Sequence, residues 1–257
     1  MKPFRVLQFN MQFGQIWNGP DDWDAPIDLD RTIEAIAPHD ADVIMLQEVE
    51  HAQAGGKQIE PPPNFSRLQE ALPGYDAVFT YPKADPRELP FGIGLAIFSR
   101  TPLTDVMTKD LPSPAVEFDF FGETKTPTDR ILLGARTEID GRSVTLLNTH
   151  LLAFFMLKTS SEVHTGQRTA VGEVLRDSHG PTLLTGDFNV SRPDSLVDQY
   201  RKCGYETMQT EGVTWRRKPF VLDHIFFNRG LRNTGYEVVP TMASDHHQLV
   251  GDFVFAD

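Results

Sequence analysis

The sequence predicts an α/β fold in which mixed, partly hairpin-paired β-sheets carry amphipathic helices on their outer sides. Short β-branched and aliphatic runs recur at 4–9, 43–46, 75–79, 95–99, 131–139, 144–148, 182–185, 221–227 and 249–255. Stretches with apolar residues at helical spacing lie between several of them. The 257 residues are 40% hydrophobic and 23% charged, an ordinary globular composition that excludes a disordered or collagen-like chain. No shift in composition marks an internal boundary, so 1–257 is read as a single domain.

In chain order, the first strand is followed by a helix over 29–37, where Leu29, Ile33 and Ile36 share a face and Pro38 ends it. After the 43–46 strand, Asn64 begins a short helix containing Leu68 and Leu72. Asp140-Gly141 separates two strands, and this dipeptide favours the positive φ angles of a tight primed turn, so 131–148 is an antiparallel hairpin. Residues 165–177 form a helix with Val171, Val174 and Leu175 on one side, and Ser191 or Asp194 caps another that reaches Tyr200. Four long connections, 14–27, 51–63, 111–128 and 152–164, are candidates for function. Pro61-Pro62-Pro63 reads as a stiff turn.

Acidic residues outnumber basic ones 36 to 24, for a formal net charge of −12. Such a surface repels a nucleic-acid backbone unless cations cluster, and Arg216-Arg217-Lys218 is the only basic triplet. Extended duplex binding is therefore disfavoured. Cys203 is the only cysteine, which excludes an internal disulfide and a thiolate metal cluster and fits the cytoplasm. The apolar run 151–157 falls far short of the roughly 20 residues of a membrane span. The N-terminal segment has no apolar signal core.

The polar residues bordering these apolar runs carry the chemistry. Asn10 closes the first run; then come Gln47-Glu48, Asn148-Thr149-His150, Gly186-Asp187-Phe188-Asn189 and Asp223-His224, while Asp245-His246 precedes the last strand. Singly, each is a turn residue bonding its own backbone or a structural histidine. Six strand borders supplying carboxylates, amides and imidazoles are a different matter, because the ends of neighbouring strands converge on one edge, where sheet proteins place ligands. There Glu48 is a hard oxygen ligand suited to Mg²⁺ or Mn²⁺. Asp187 beside Asn189 suits activation of a water and donation to a phosphoryl oxygen, and an imidazole of His246 held by Asp223 suits a cationic donor. The set fits metal-assisted attack of water on a phosphoester.

In that order, from Asn10 to His246, these motifs resemble those of the endonuclease/exonuclease/phosphatase superfamily, which includes deoxyribonuclease I, abasic-site endonucleases, neutral sphingomyelinases and inositol polyphosphate 5-phosphatases. The stretch Gly94-Leu95-Ala96-Ile97-Phe98-Ser99-Arg100 resembles a structural strand of the same group. The resemblance implies a four-layer α/β sandwich: two mixed, mostly antiparallel sheets face to face, helices on both outer sides, and the active site at one end. It implies Asn10, Glu48 and Asp245 around one Mg²⁺ or Mn²⁺, since Gln12 stands where some relatives have a second carboxylate. Asp187 would activate the water, Asn189 and His150 would hold phosphoryl oxygens, and His246 with Asp223 would stabilise the transition state. His224 and His247 adjoin motif residues and are expected to point away from them.

The expected activity is phosphodiester cleavage, with a sphingomyelinase- or inositol-phosphatase-like hydrolase as the alternative and a non-catalytic phospholigand-binding module as the reading from another class. Arg168 is an expected substrate contact on the helix after His150, and the Arg216 triplet is either a surface turn or a phosphate contact. The 151–157 run is core or a loop meeting peripheral lipid, and Trp17 and Trp23 stack on bases, meet lipid or pin their loop. The expected partner is a small phosphorylated molecule or a short nucleic acid; no protein partner is indicated. A serine hydrolase has little support, since the contiguous Ser244, Asp245 and His246 cannot form a triad among themselves and no Gly-x-Ser-x-Gly elbow occurs.

Overall fold

The computed structural model describes residues 2–88, 91–120, 122–209 and 211–256. In chain order its strands are β1 (Phe4–Asn10), β2 (Val43–His51), β3 (Asp76–Thr80), β4 (Gly92–Ser99), β5 (Thr104–Leu111), β6 (Phe118–Phe120), β7 (Glu123–Lys125), β8 (Arg130–Ile139), β9 (Arg142–His150), β10 (Thr182–Asp187), β11 (Tyr205–Thr207), β12 (Asp223–Asn228), β13 (Leu231–Val239) and β14 (Gln248–Phe255). The helices are α1 (Leu29–Ile36), α2 (Pro63–Ala71), α3 (Gly166–Asp177) and α4 (Asp194–Arg201).

Two six-stranded sheets result, ordered β13-β14-β1-β2-β4-β3 and β11-β12-β10-β9-β8-β5. Each contains one parallel pair, β1 with β2 and β9 with β10, among antiparallel neighbours. The β8–β9 hairpin turns at Asp140 and Gly141, whose φ angles of 50° and 73° are those the Asp-Gly dipeptide favours.

Alternation along the strands sets up three apolar layers. Phe4, Val6, Val43 and Met45 of the first sheet meet Leu133, Leu146, Leu183 and Ile225 of the second, forming the core between the sheets. Leu7, Phe9, Ile44 and Leu46 point the other way, under Ile33 and Ile36 of α1 and Phe65 and Leu68 of α2. Leu147, Leu184 and Phe226 pack under Val171 and Leu175 of α3 and Leu196, Val197 and Tyr200 of α4. Helix, sheet, sheet, helix is the four-layer sandwich the resemblance implied.

The long connections are less bare than expected. The 111–128 segment contains the β6–β7 ribbon, and 152–164 contains a 3-10 turn at Phe154–Leu157. That turn answers the core-or-loop alternative residue by residue: Leu151, Leu152 and Phe154 are buried and Met156 is exposed. No helix among the described residues is long and apolar enough to cross a membrane.

Candidate active site

At one end of the sandwich the inward positions change from apolar to polar. The parity that buries Val6 also turns Gln8 and Asn10 inward; Met45 is followed by Gln47, Leu146 by Asn148 and His150, Leu183 by Thr185 and Asp187, and Asp223 precedes Ile225. Register then gathers them: Asn10 lies beside Gln47, Asp187 beside His150, and Asp187 opposite Asp223.

A floor of amides joins the two sheets. Gln8 Nε2 donates to Gln47 Oε1 (2.7 Å) and to Asp223 Oδ1 (3.0 Å), and Gln47 Nε2 donates to Asn148 Oδ1 (2.7 Å). Asn148 Nδ2 donates in turn to the carbonyls of Leu46 and Ala96. Above this floor, Asn10 Nδ2 donates to both Glu48 Oε1 (2.9 Å) and Asp187 Oδ2 (3.0 Å), linking the acids.

Glu48 reaches the site against its strand's alternation. By parity it should point outward with Ile44 and Leu46, but it has a left-handed φ of 50°, and the pairing of β2 with β4 slips between Gln47 and Glu50. Gly92 of β4 leaves space for it: a Cβ there would lie 2.1 Å from Glu48 Oε2. Asn189 also has a left-handed φ, 51°, which asparagine tolerates better than most residues. Its backbone N–H donates to Asp187 Oδ1 (2.9 Å), and its Nδ2 faces His150 Nε2 (3.0 Å) and donates to the carbonyl of Leu151 (2.9 Å).

Burial and charge set the protonation states. Burial pushes the Glu48 carboxyl up to about 7, against the hydrogen bond from Asn10. Asp187 is raised by burial and by the neighbouring Asp223. Burial holds His150 well below its ordinary value, with the charges of Arg130 and His246 acting in the same direction. His246 is the opposite case: burial disfavours its cation, but Asp223 and Asp187 outweigh that and bring it to about 10. Its Nδ1 lies 2.8 Å from Asp223 Oδ2 and its Nε2 lies 3.6 Å from Asp187 Oδ2. His246 is thus an imidazolium at neutral pH, and His150 is neutral.

Two groups of donor atoms lie within 4.8 Å of one another, those of Glu48, His150 and Asp187 and those of Asp187, Asp223 and His246. A buried carboxyl raised by desolvation, beside a second acid and a neutral imidazole, is a donor set that a hard divalent cation fits. The first group is the better cage, because a protonated His246 offers no lone pair. Asp245, implied as a ligand by the resemblance, stands outside both groups. Its Oδ2 accepts from Arg217 Nε (2.7 Å) and Trp215 Nε1 (3.1 Å), and its Oδ1 is 3.9 Å from His246 Nε2.

The structure therefore brings together Asn10, Glu48, His150, Asp187, Asn189, Asp223 and His246, with Asp245 at the margin. It corrects Arg168. That guanidinium is buried and bonded to Gln199, to Ser161 and to the hydroxyl and carbonyl of Ser195, so it ties α3 to α4 instead of facing a substrate. His224 points to the other side of its strand, against Phe188 and Phe226. The missed residue is Arg130, the first of β8. Its charge acts on both Glu48 and His150, and its buried Nε has no hydrogen-bond partner among the described residues. A cation opening the strand next to the His150 strand was the available signal.

The inter-sheet core of the sandwich runs out at one end into buried acids, amides and imidazoles. The chain belongs to the endonuclease/exonuclease/phosphatase family, whose sequence model matches residues 7–246 and whose members are phosphoesterase hydrolases. A UPF0294 protein of Yersinia pseudotuberculosis is 31% identical over 119 residues, which is 44% of this chain and 44% of that protein, so the match spans under half of the curated relative. Solved structures share the fold, two of them as follows. The endonuclease/exonuclease/phosphatase of Beutenbergia cavernae is 21% identical, with TM-score 0.71 over 100% of this chain and 72% of that one. The human Nocturnin catalytic domain with bound sulfate anion is 21% identical, with TM-score 0.69 over 99% and 95%.

Proposed function

We propose that this chain, acting as one domain in the cytoplasm, is a divalent-metal-dependent hydrolase that cleaves a phosphodiester by attack of water on phosphorus. The observation that carries the reading is the meeting of Glu48, His150 and Asp187 within 4.8 Å, with His246 poised on the same Asp187. Glu48 and Asp187 would hold Mg²⁺ or Mn²⁺, with Asn10 keeping the two carboxylates in place. The cation would supply Lewis-acid polarisation of the phosphoryl group.

The remaining steps belong to the chain. Asp187, its proton affinity raised by burial, orients the water and accepts its proton. The His246 imidazolium, held by Asp223, donates to a phosphoryl oxygen and offsets charge that grows in the transition state. Asn189 and His150, whose Nδ2 and Nε2 lie 3.0 Å apart, would meet a second phosphoryl oxygen, and Arg130 is a cation whose charge acts on His150. Arg216 and Arg217 are engaged within the protein, which takes two of the three cations of the basic triplet away from a duplex. A small phosphorylated molecule or a short strand is the substrate class this supports.

Release of nitrophenol from bis(p-nitrophenyl) phosphate with Mg²⁺ or Mn²⁺, compared with a chelator, tests the reading. Asp187→Ala and His246→Ala should each lose about 10²–10⁴-fold in rate, the range for a removed acid or base. Activity that survives both changes would reject these roles.

A further inference from the structure

The two arginines of the basic triplet and the two tryptophans of the 14–27 connection form one feature. The Arg217 side chain is only 5% exposed. Its Nε donates to Asp245 Oδ2 at 2.7 Å, and its terminal nitrogens donate to the carbonyls of Pro20 (2.9 Å) and Asp22 (3.3 Å). Its plane covers Trp23 at 3.8 Å and stands 5.4 Å from Trp17, which Arg216 covers at 4.7 Å. Asp245 is also gripped from elsewhere. Trp215 Nε1 donates to Oδ2 (3.1 Å), Arg216 N donates to the Asp245 carbonyl (3.0 Å), and Asp245 N donates to Gln12 Oε1 (3.2 Å).

Three of the five N–H donors of Arg217 are committed within the protein and its side chain is 5% exposed, so the guanidinium is turned inward, against the phosphate-contact alternative. What it does hold is the carboxylate next to His246. With Oδ2 tied back, only Oδ1 of Asp245 faces the cluster, 3.9 Å from His246 Nε2. The fork matters here as much as the charge, because a planar guanidinium fixes direction where an ammonium does not.

We propose that Arg217 is a positioning residue: braced by Trp23 and by the carbonyls of residues 20 and 22, it fixes Asp245 so that one oxygen serves the reacting group at His246 while the carboxylate stays outside the metal's own ligands. This rests on the phosphoesterase reading above. It makes the 15–27 segment a strap whose seat on Arg217 completes the site, so residues far from the chemistry set its geometry.

The test combines Arg217→Gln, Arg217→Lys and Trp23→Leu with three readouts: kinetics on bis(p-nitrophenyl) phosphate at saturating Mn²⁺, the Mn²⁺ dissociation constant from the paramagnetic signal of the free ion, and the thermal midpoint. Arg217→Gln should lower kcat by about 10²-fold, the effect of an ångström-scale misplacement. KM should stay close to wild type, and Mn²⁺ should bind at least as tightly, since a freed Asp245 can only add a ligand. Arg217→Lys should recover part of kcat, and Trp23→Leu, which spares the ion pair, should lose less.

Wild-type kcat in Arg217→Gln alongside an inactive Asp187→Ala would overturn the proposal and leave the phosphoesterase reading standing. A joint fall of kcat, Mn²⁺ affinity and midpoint would also overturn it, since that pattern is collapse of the fold around the clamp. A wild-type protein with no metal-dependent activity would overturn the phosphoesterase reading, and the positioning role with it.

Discussion

Gly92→Ala probes the space that lets Glu48 into the site. A Cβ on residue 92 would lie 2.3 Å from Glu48 Cβ and 2.1 Å from its Oε2, where ordinary contact begins at 3.4 Å. The two side chains must therefore part by about 1 Å. Gly92 is not among the glycines with positive φ, so alanine adds no backbone strain and the steric push on Glu48 is the whole perturbation. An ångström of misplacement costs about 10²-fold in rate. Crowding costs about 1–3 kcal/mol, and each 1 kcal/mol is about 2–4 °C of midpoint in a chain of this size. Mn²⁺-dependent diester hydrolysis, Mn²⁺ affinity and thermal midpoint should show that loss of rate, a metal affinity weakened by about 10-fold or more, and a midpoint lowered by a few degrees. Gly94→Ala is the control. Its Cβ would strike the Phe79 ring at 2.7 Å from a φ of +83°, so it should lose stability while Glu48, and the rate per folded molecule, stay as they are. A Gly92→Ala protein with wild-type rate and wild-type Mn²⁺ affinity would refute the dependence of Glu48 on this gap.

Two more outcomes are expected. Glu48 at about 7 and His246 at about 10 both bind protons more tightly folded than unfolded, so the stability they contribute is present below their ordinary values and is lost as pH rises through those folded values. The metal-free midpoint should fall between about pH 7 and pH 9, above the range where the depressed His150 and His224 act in the opposite direction, and added Mn²⁺ should raise it more at the alkaline end; a flat or rising metal-free profile in that window contradicts the assignment. Arg168→Ala should cost about 2–3 kcal/mol through lost charged hydrogen bonds while leaving the rate per folded molecule unchanged; a slower enzyme with an intact midpoint would return Arg168 to the site.

Much of this was legible because both codes are periodic. The strands at 4–9, 43–46 and 182–185 were readable from their apolar runs, and the polar residues at their ends marked the site because a strand's last inward positions lie together once neighbours pair. β5 went unread because its exposed edge residues show no buried alternation, and β13 because Gly235 and a register slip break it. Arg168 misled for a simple reason: a helix following a histidine says nothing about which way its arginine points. The bulge that swings Glu48 inward, and the burial of Arg217, depend on contacts between segments remote in sequence, which no local pattern records. Arg130 was within reach of the predicted 131–148 hairpin, but only side-chain reach, which no local pattern records, carries its charge to Glu48.

The order of the strands has a further consequence. The chain builds the first sheet through β4, moves to the second, and comes back, so that β14 slots between β13 and β1 with Phe253 opposite Phe4. Asp245 and His246 arrive just ahead of that returning strand. During synthesis, the carboxylates of Glu48 and Asp187 leave the ribosome long before their imidazolium counterweight. Closure of the first sheet by β14 and delivery of His246 to Asp187 are thus coupled steps of folding.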